Sequence, residues 1–294
     1  MHKSGFIAIV GRPNVGKSTL LNALIGQKIA ITSTKPQTTR HRISGILSSE
    51  KYQMIFVDTP GMHKGKDLLN IQIDRLAVSS LRDVDLVMFV VDREMGKAEE
   101  IVIRYFKNLK IPVFLVINKI DQLINKQAID QLIMSYLNEY PFAAYLPISA
   151  LERTHLDKVL ETIEQYLPEG PKYFPEDMKS DQSEAMIMSE LVREKILYYT
   201  EQEVPHAVAV IIESIKENIE HNTVDVSALI MVERSSQKQI LIGRGGEKMK
   251  RIGSEARQEI NRLLDTKIHL TLWVKVKKDW RNRPRDLRSF GYGE

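Results

Sequence analysis

The stretch FIAIVGRPNVGKSTLLNALIG, residues 6–26, constrains this chain more than any other. An apolar run, a glycine-bounded polar loop and apolar residues at helical spacing (Leu20, Leu21, Leu24, Ile25, ended by Gly26) follow one another without a gap. That is a strand feeding a loop that turns into a helix, the setting in which G-x-x-x-x-G-K-[ST] cradles phosphate. Glycines let backbone N–H groups curl round phosphate oxygens, and the helix start offers its positive dipole end. Gly11, Arg12, Pro13, Asn14, Val15, Gly16, Lys17, Ser18 and Thr19 are therefore expected nucleotide contacts. Lys17 should reach the β- and γ-phosphates, and Ser18 should give its hydroxyl to Mg²⁺.

Apolar runs then alternate with helical patterns. Strands are predicted at 6–10, 52–58, 85–92, 112–118 and 144–149, and a helix at 155–167. Nearly continuous apolar strands separated by helices imply a mainly parallel sheet covered on both faces. The proline- and glycine-rich LPEGPKYFPED that follows marks a linker. We place the first domain at 1–170, the linker at 171–182 and a second domain at 183–294.

Two further strand ends carry short polar motifs. DTPG at 58–61 puts Asp58 near the metal, through water, and Gly61 where its N–H can meet a γ-phosphate; Thr59, Pro60 and Met62 share that loop. In NKID at 118–121, with Asn118, Lys119 and Ile120, Asp121 can accept two hydrogen bonds from a guanine ring edge, where adenine has no matching donors. Charge-assisted bonds of about 1.5–3 kcal/mol each make a guanine preference of roughly two to four decades plausible. Ser149 and Ala150, in SAL at 149–151, back the base with a main-chain N–H. An ATPase or nucleotide kinase is opposed by Asp121.

These motifs together resemble the Ras-like GTPases, which implies guanine nucleotide (GTP and GDP), Mg²⁺ and hydrolysis at the γ-phosphate. The segment TSTKPQTTRHRISG resembles the first switch, with Thr39 as the metal ligand and Thr38 the runner-up. Lys17, Thr39, Asp58, Gly61 and Asn14 form the expected catalytic set; Ser18, Thr39 and Asp58 form the Mg²⁺ set. Met62 stands where Ras-type enzymes carry a water-orienting glutamine, so slow intrinsic turnover is expected, about 10⁻⁴ to 10⁻² s⁻¹. GTPases with asparagine at the Asn14 position often recruit K⁺, which offsets transition-state charge; asparagine also suits a tight turn by itself.

The second half has another order. A helical stripe (Met188, Leu191, Val192, Ile196, Tyr199) precedes two strands, HAVAVIIESIK and VDVSALIMVER. A second glycine loop, Ile242-Gly243-Arg244-Gly245-Gly246, then enters a helix that Gly253 is expected to interrupt. A final strand alternates Ile268, Leu270, Leu272, Val274 and Val276 with polar residues. With no Lys-Ser/Thr pair after its last glycine, this loop is not a triphosphate cradle. It fits the KH motif, which clamps single-stranded nucleic acid by its backbone, and helix-strand-strand-helix-helix-strand is the type II KH order. Arg244, Lys248, Lys250, Arg251 and Lys275 supply charge, and Trp273 and His269 are candidate base contacts. The net charge of +4 is uneven: residues 234–294 hold 16 Lys/Arg against 7 Asp/Glu, which suits an anionic polymer or surface.

At full length the chain resembles the Era family of bacterial GTPases, on QTTRHRISGI, FVDTPGMH, FPED, LIGRGGEKMKRIGSEAR and LWVKVKKDW. The resemblance implies an α/β Ras-like P-loop GTPase domain plus a C-terminal α+β type II KH domain. It also implies a monomer that binds the 3′ end of 16S rRNA and the 30S ribosomal subunit during assembly. Glycine at position 245 departs from that family, where the third G-x-x-G residue is more often polar or basic. With no cysteine, no secretory leader pattern and no apolar run near the roughly 20 residues of a bilayer span, a cytoplasmic protein is expected. The alternative is a signalling GTPase held peripherally on the inner face of the cell membrane by its basic end.

Overall fold

The computed structural model describes residues 2–35, 37–61 and 67–292. By its contacts the chain divides into two units: Met1–Thr32, Thr39–Gly65 and Ile73–Asp181 in the first, and Ser33–Thr38, Lys66–Gln72 and Gln182–Glu294 in the second.

In chain order the first unit runs β1 (Lys3–Val10), α1 (Lys17–Ile25), β2 (Ile43–Ser48), β3 (Tyr52–Asp58), α2 (Leu68–Ser79, of which Ile73 onward belongs here), β4 (Leu86–Val91), α3 (Lys97–Arg104), β5 (Val113–Ile117), α4 (Lys126–Tyr136), β6 (Ala144–Pro147) and α5 (Leu156–Tyr166). The sheet order is β2-β3-β1-β4-β5-β6, parallel except for β2, which runs antiparallel to β3. Successive residues of a strand point to opposite faces, and both faces are covered. Ile7 and Ile9 of β1 join Leu20, Leu21, Phe114 and Val159 in one core, while Ala8 and Val10 join Phe89, Val102, Phe106 and Tyr136 in the other. The predicted strands and their parallel order hold. β2 was not foreseen, because Ser44 and Gly45 interrupt its apolar pattern.

Residues 173–180 pack back on this unit. The Gln53 side chain accepts from Tyr173 N (2.7 Å) and Phe174 N (3.0 Å) and donates to Phe174 O (2.8 Å), while Ile46 N donates to Lys179 O (2.9 Å).

The second unit runs α6 (Glu184–Tyr199), α7 (Val204–Ala207), β7 (Ala209–Asn218), β8 (Thr223–Val232), α8 (Ser235–Ile242), α9 (Glu247–Leu264), β9 (Ile268–Val276) and α10 (Pro284–Ser289). Its sheet is β7-β8-β9, with β7 antiparallel and β9 parallel to β8. The expected break at Gly253 is corrected: α9 continues through it without interruption. The two helices are divided at the glycine loop instead. Gly253 is there because α9 lies close on β9, where an added Cβ would meet Leu272 Cδ1 at 3.2 Å.

The basic end is also folded rather than a loose tail. Trp280 is fully buried, donates from Nε1 to Ala207 O (3.1 Å), and packs against Phe290 and Tyr292. Removing so large a buried ring costs about 3–5 kcal/mol. Within the same unit the buried Arg193 pairs with Glu190 and donates to Thr38 O. Arg281 pairs with Asp67 (3.0 Å) and Glu233 (2.8 Å). Among the described residues no helix is long and apolar enough to cross a membrane.

Candidate nucleotide site and glycine loop

β1 delivers residues 11–16 to the start of α1, as in a phosphate cradle. Asn14 has φ 65° and Gly16 φ 98°, both left-handed. At Gly16 any side chain is also excluded by space, since an added Cβ would run into Asn118 Nδ2. Lys17 is buried and donates from Nζ to Gly11 O (3.2 Å) and Arg12 O (3.0 Å). Burial pushes its pKa down to about 8, against the opposing pull of Asp58.

Beside Lys17 in the first turn of α1, Ser18 Oγ donates to Asp58 Oδ2 (2.6 Å) and lies 2.8 Å from Thr39 Oγ1, which is 3.4 Å from the same oxygen. Thr38 is elsewhere: its hydroxyl donates to Lys35 O (2.7 Å). Ser18, Thr39 and Asp58 thus converge and Thr38 does not. Asp58 is fully buried; burial raises its pKa, against the lowering effects of Lys17, Ser18 and Thr39. Among the described residues its Oδ1 has no hydrogen-bond partner. Two hydroxyls and a carboxylate with an orphaned buried oxygen make an all-oxygen donor set. That set fits Mg²⁺, which binds through one or two carboxylates and takes its remaining ligands from phosphate and water. Thr59 anchors this turn by donating to Ile9 O (2.9 Å), with Pro60 buried beside it. Gly61 lies against the cradle, where an added Cβ would meet Pro13 N at 2.6 Å. Met62 falls outside the described residues.

The side expected to read the base is built at the ends of β5 and β6. Buried Asn118 donates from Nδ2 to Val15 O (2.9 Å) and accepts at Oδ1 from Ala150 N (2.9 Å), so it clamps the cradle to the 149–151 loop. Lys119, left-handed at φ 64°, sends Nζ to Asn14 O (2.7 Å) and to Asp92 Oδ2 (2.7 Å). Half-buried Ile120 opens the 3₁₀ turn Ile120–Gln122. Ser149 Oγ donates to exposed Asp121 Oδ1. The sequence reading missed Asp92 and Glu99, which pair with Arg12. For Asp92 a signal existed, an acid closing a central parallel strand, where α/β ligand sites lie. For Glu99 there was none.

In the second unit, Gly243, Gly245 and Gly246 all have positive φ, and the turn leads straight into α9. Arg244, Lys250 and Arg251 are exposed, Lys248 and Ile242 half-buried. Trp273 is 59% exposed. Because Leu272 faces α9, strand alternation puts Trp273, His269 and Lys275 on the other face of the sheet from the helix that follows the loop.

Comparison with known proteins agrees with both halves. Residues 6–119 match the family model described as 50S ribosome-binding GTPase, and residues 203–281 match the KH domain. GTPase Era of Lactobacillus delbrueckii subsp. bulgaricus is 51% identical over 292 residues, covering 99% of this chain and 96% of that protein. GTPase Era of Clostridioides difficile is 48% identical over 296 residues, covering 100% of both. A crystal structure of Era in complex with MgGDPNP and nucleotides 1506–1542 of 16S ribosomal RNA superposes with TM-score 0.97 at 41% identity, 100% of each chain covered. A point variant of Aquifex aeolicus Era bound to GDP·AlF₄⁻ gives 0.96 at 42% identity, covering 99% of this chain and 100% of that one. A Ras-like sheet carrying the converged Ser18–Thr39–Asp58 set, followed by a type II KH unit and matched end to end by these relatives, makes the chain a member of the Era family of GTPases.

Proposed function

We propose that this GTPase is a switch that binds 16S rRNA near its 3′ end and acts in assembly of the 30S ribosomal subunit, in the cytoplasm. The observation that carries the proposal is one chain with two unlike phosphate-facing loops, the walled cradle at 11–18 and the exposed basic loop at 243–246. In this reading Lys17 and the cradle N–H groups hold the β- and γ-phosphates. Ser18, Thr39 and Asp58 hold Mg²⁺, which neutralises developing charge when bound. Asn118, Lys119, Asp121, Ser149 and Ala150 read guanine. Arg244, Lys248, Lys250 and Arg251 take the RNA backbone, with Trp273 and Lys275 as further contacts. The domain limits that go with this are 1–170 for hydrolysis, 171–182 as connection and 183–294 for RNA.

The switch follows from chain connectivity. Residues 33–38 fold with the RNA-binding unit and end one residue before Thr39, so a nucleotide that engages Thr39 tugs on that unit through the backbone. Hydrolysis releases Thr39 and, with it, the RNA. Coupling of this kind is reciprocal: if GTP tightens RNA binding, RNA tightens GTP binding equally. Crosslinking and sequencing of RNA held in the GTP state tests the partner, with a footprint at the small-subunit rRNA 3′ end expected and a scattered one fatal. Equal RNA affinity with GDP and with a nonhydrolysable GTP analogue removes the switch. K⁺ at Asn14 belongs to the same proposal, although the left-handed backbone there gives asparagine a conformational reason of its own. An unchanged hydrolysis rate on exchanging K⁺ for Na⁺ at constant ionic strength takes K⁺ out of the site.

A further inference from the structure

We propose that Asp92 is a positioning residue for nucleotide binding: its carboxylate bridges Arg12 and Lys119 and so fixes the spacing between the phosphate cradle and the base-reading segment. The proposal rests on the guanine-nucleotide reading of the site. Arg12 Nη2 donates to Asp92 Oδ1 (3.1 Å), and Lys119 Nζ donates to Asp92 Oδ2 (2.7 Å). Each carboxylate oxygen thus takes a cation from a different arm of the site. Both cations are in turn tied to the cradle backbone. Lys119 Nζ also donates to Asn14 O (2.7 Å), and the main chain of Arg12 accepts from Lys17 Nζ (3.0 Å). The Asp92 side chain is 9% exposed, so water cannot replace these partners cheaply.

Glu99 completes the arrangement. It reaches from the first turn of α3 to pair with Arg12 Nε, and its side chain is 4% exposed. Arg93 adds a third cation from the solvent side, with Nε 3.3 Å from Asp92 Oδ1, so Arg12, Lys119 and Arg93 share Asp92 and Glu99, and only Arg93 of the five is mostly exposed. Arg12 is consequently committed to Asp92 and Glu99, which gives that loop position a structural task instead of a phosphate contact. A nucleoside diphosphate spans the two arms, with guanine at Asp121 and phosphates at Lys17. Its binding therefore depends on their separation in a way that a ligand of one arm does not.

The discriminating measurement compares GDP with inorganic pyrophosphate, which occupies the phosphate cradle alone. Asp92→Asn keeps the shape of the side chain and removes its charge. In the full chain with Mg²⁺, the ratio of GDP to pyrophosphate affinity is expected to fall by about 10- to 100-fold. A drop of less than 5-fold, whether both ligands weaken together or neither does, overturns the proposal. Should Asp92→Asn not fold, Asp92→Glu serves. It keeps the charge and lengthens the arm by one methylene, and a spacing role then requires the ratio to fall at least 3-fold, while an unchanged ratio overturns it. Absence of GDP binding by the unsubstituted protein would instead strike the guanine reading itself.

Discussion

The chain carries two glycine loops, and they solve opposite problems. In the loop at 11–18 the glycines are required by crowding: an added Cβ at Gly11 would collide with Val90 O, and one at Gly16 with Asn118 Nδ2. In the loop at 243–246, Gly243 is crowded by its own helix, with Lys248 Cβ 2.8 Å from an added Cβ, but at Gly245 or Gly246 an added Cβ meets none of the described residues within 4 Å, and only the positive φ favours glycine at those two. The first loop is walled by protein on its outer side and its lysine is buried. The second is open, with Arg244, Lys250 and Arg251 in solvent. A walled loop suits one compact ligand whose every phosphate oxygen is met by a fixed donor. An open one suits a polymer that must enter and leave along its length, held by charge more than by shape.

The largest effect expected from this contrast is at Gly16. Gly16→Ala puts a methyl on Asn118 and strains a backbone at φ 98°, so both the cradle and its clamp to residue 150 are disturbed. GTP affinity is expected to fall by at least about 100-fold, at roughly 1.4 kcal/mol per decade. RNA affinity without nucleotide should stay within about 2-fold, and fluorescent-nucleotide titration beside an RNA gel shift measures both. Were RNA binding to collapse as well, the two loops would not be separable devices.

Asp121→Asn comes next. In the proposed reading the carboxylate accepts from two guanine donors; an amide offers one acceptor and one donor, which matches xanthine better. Guanosine nucleotide affinity is expected to drop by about two decades, with xanthosine nucleotide partly replacing it in a competition assay. Undiminished guanosine preference would move base recognition away from Asp121.

The open loop predicts smaller, graded losses. Arg244→Gln and Lys250→Gln each remove one exposed cation, so binding of the rRNA 3′ segment should weaken by several-fold apiece. The slope of log affinity against log salt should flatten by about 0.7 per charge, as for single strands. GTP affinity should not respond. A single substitution that abolished RNA binding would mean the loop is organised like the cradle after all.

Why one loop was so legible in sequence and its surroundings less so has a physical reason. The cradle is local: strand, loop and helix lie within 21 consecutive residues, and each obeys rules read from neighbours. The convergence of Ser18 with Asp58 was legible too, since both sit at strand or helix ends that the alternating pattern already located. Asp92 pairing with Arg12 joins residues 80 apart in sequence, and no periodicity reports such a pair. Gly253 misled for the same reason. In isolation a glycine inside a helix is a weak point, whereas here close packing of α9 on β9 decides the matter. Trp280 lies in the Lys/Arg-rich stretch 234–294, and its burial against Ala207, Phe290 and Tyr292 depends on partners up to 73 residues away.

The smallest effect is the sharpest test of openness. Gly245 sits at φ 60° with empty space where a side chain would project. Gly245→Lys therefore meets no clash, but a non-glycine residue in the left-handed region costs about 1–2 kcal/mol. The added ammonium gains one phosphate contact, and that gain is of similar size at low salt. The two terms nearly cancel, so RNA affinity at low salt should change by no more than about 3-fold. The salt dependence, which counts charges and ignores backbone strain, should steepen by about 0.7. The two readings move apart only if the loop is open and phosphate lies within reach of position 245. An affinity loss beyond 30-fold would reveal a wall that the loop does not have, and an unchanged salt slope would put the RNA backbone elsewhere.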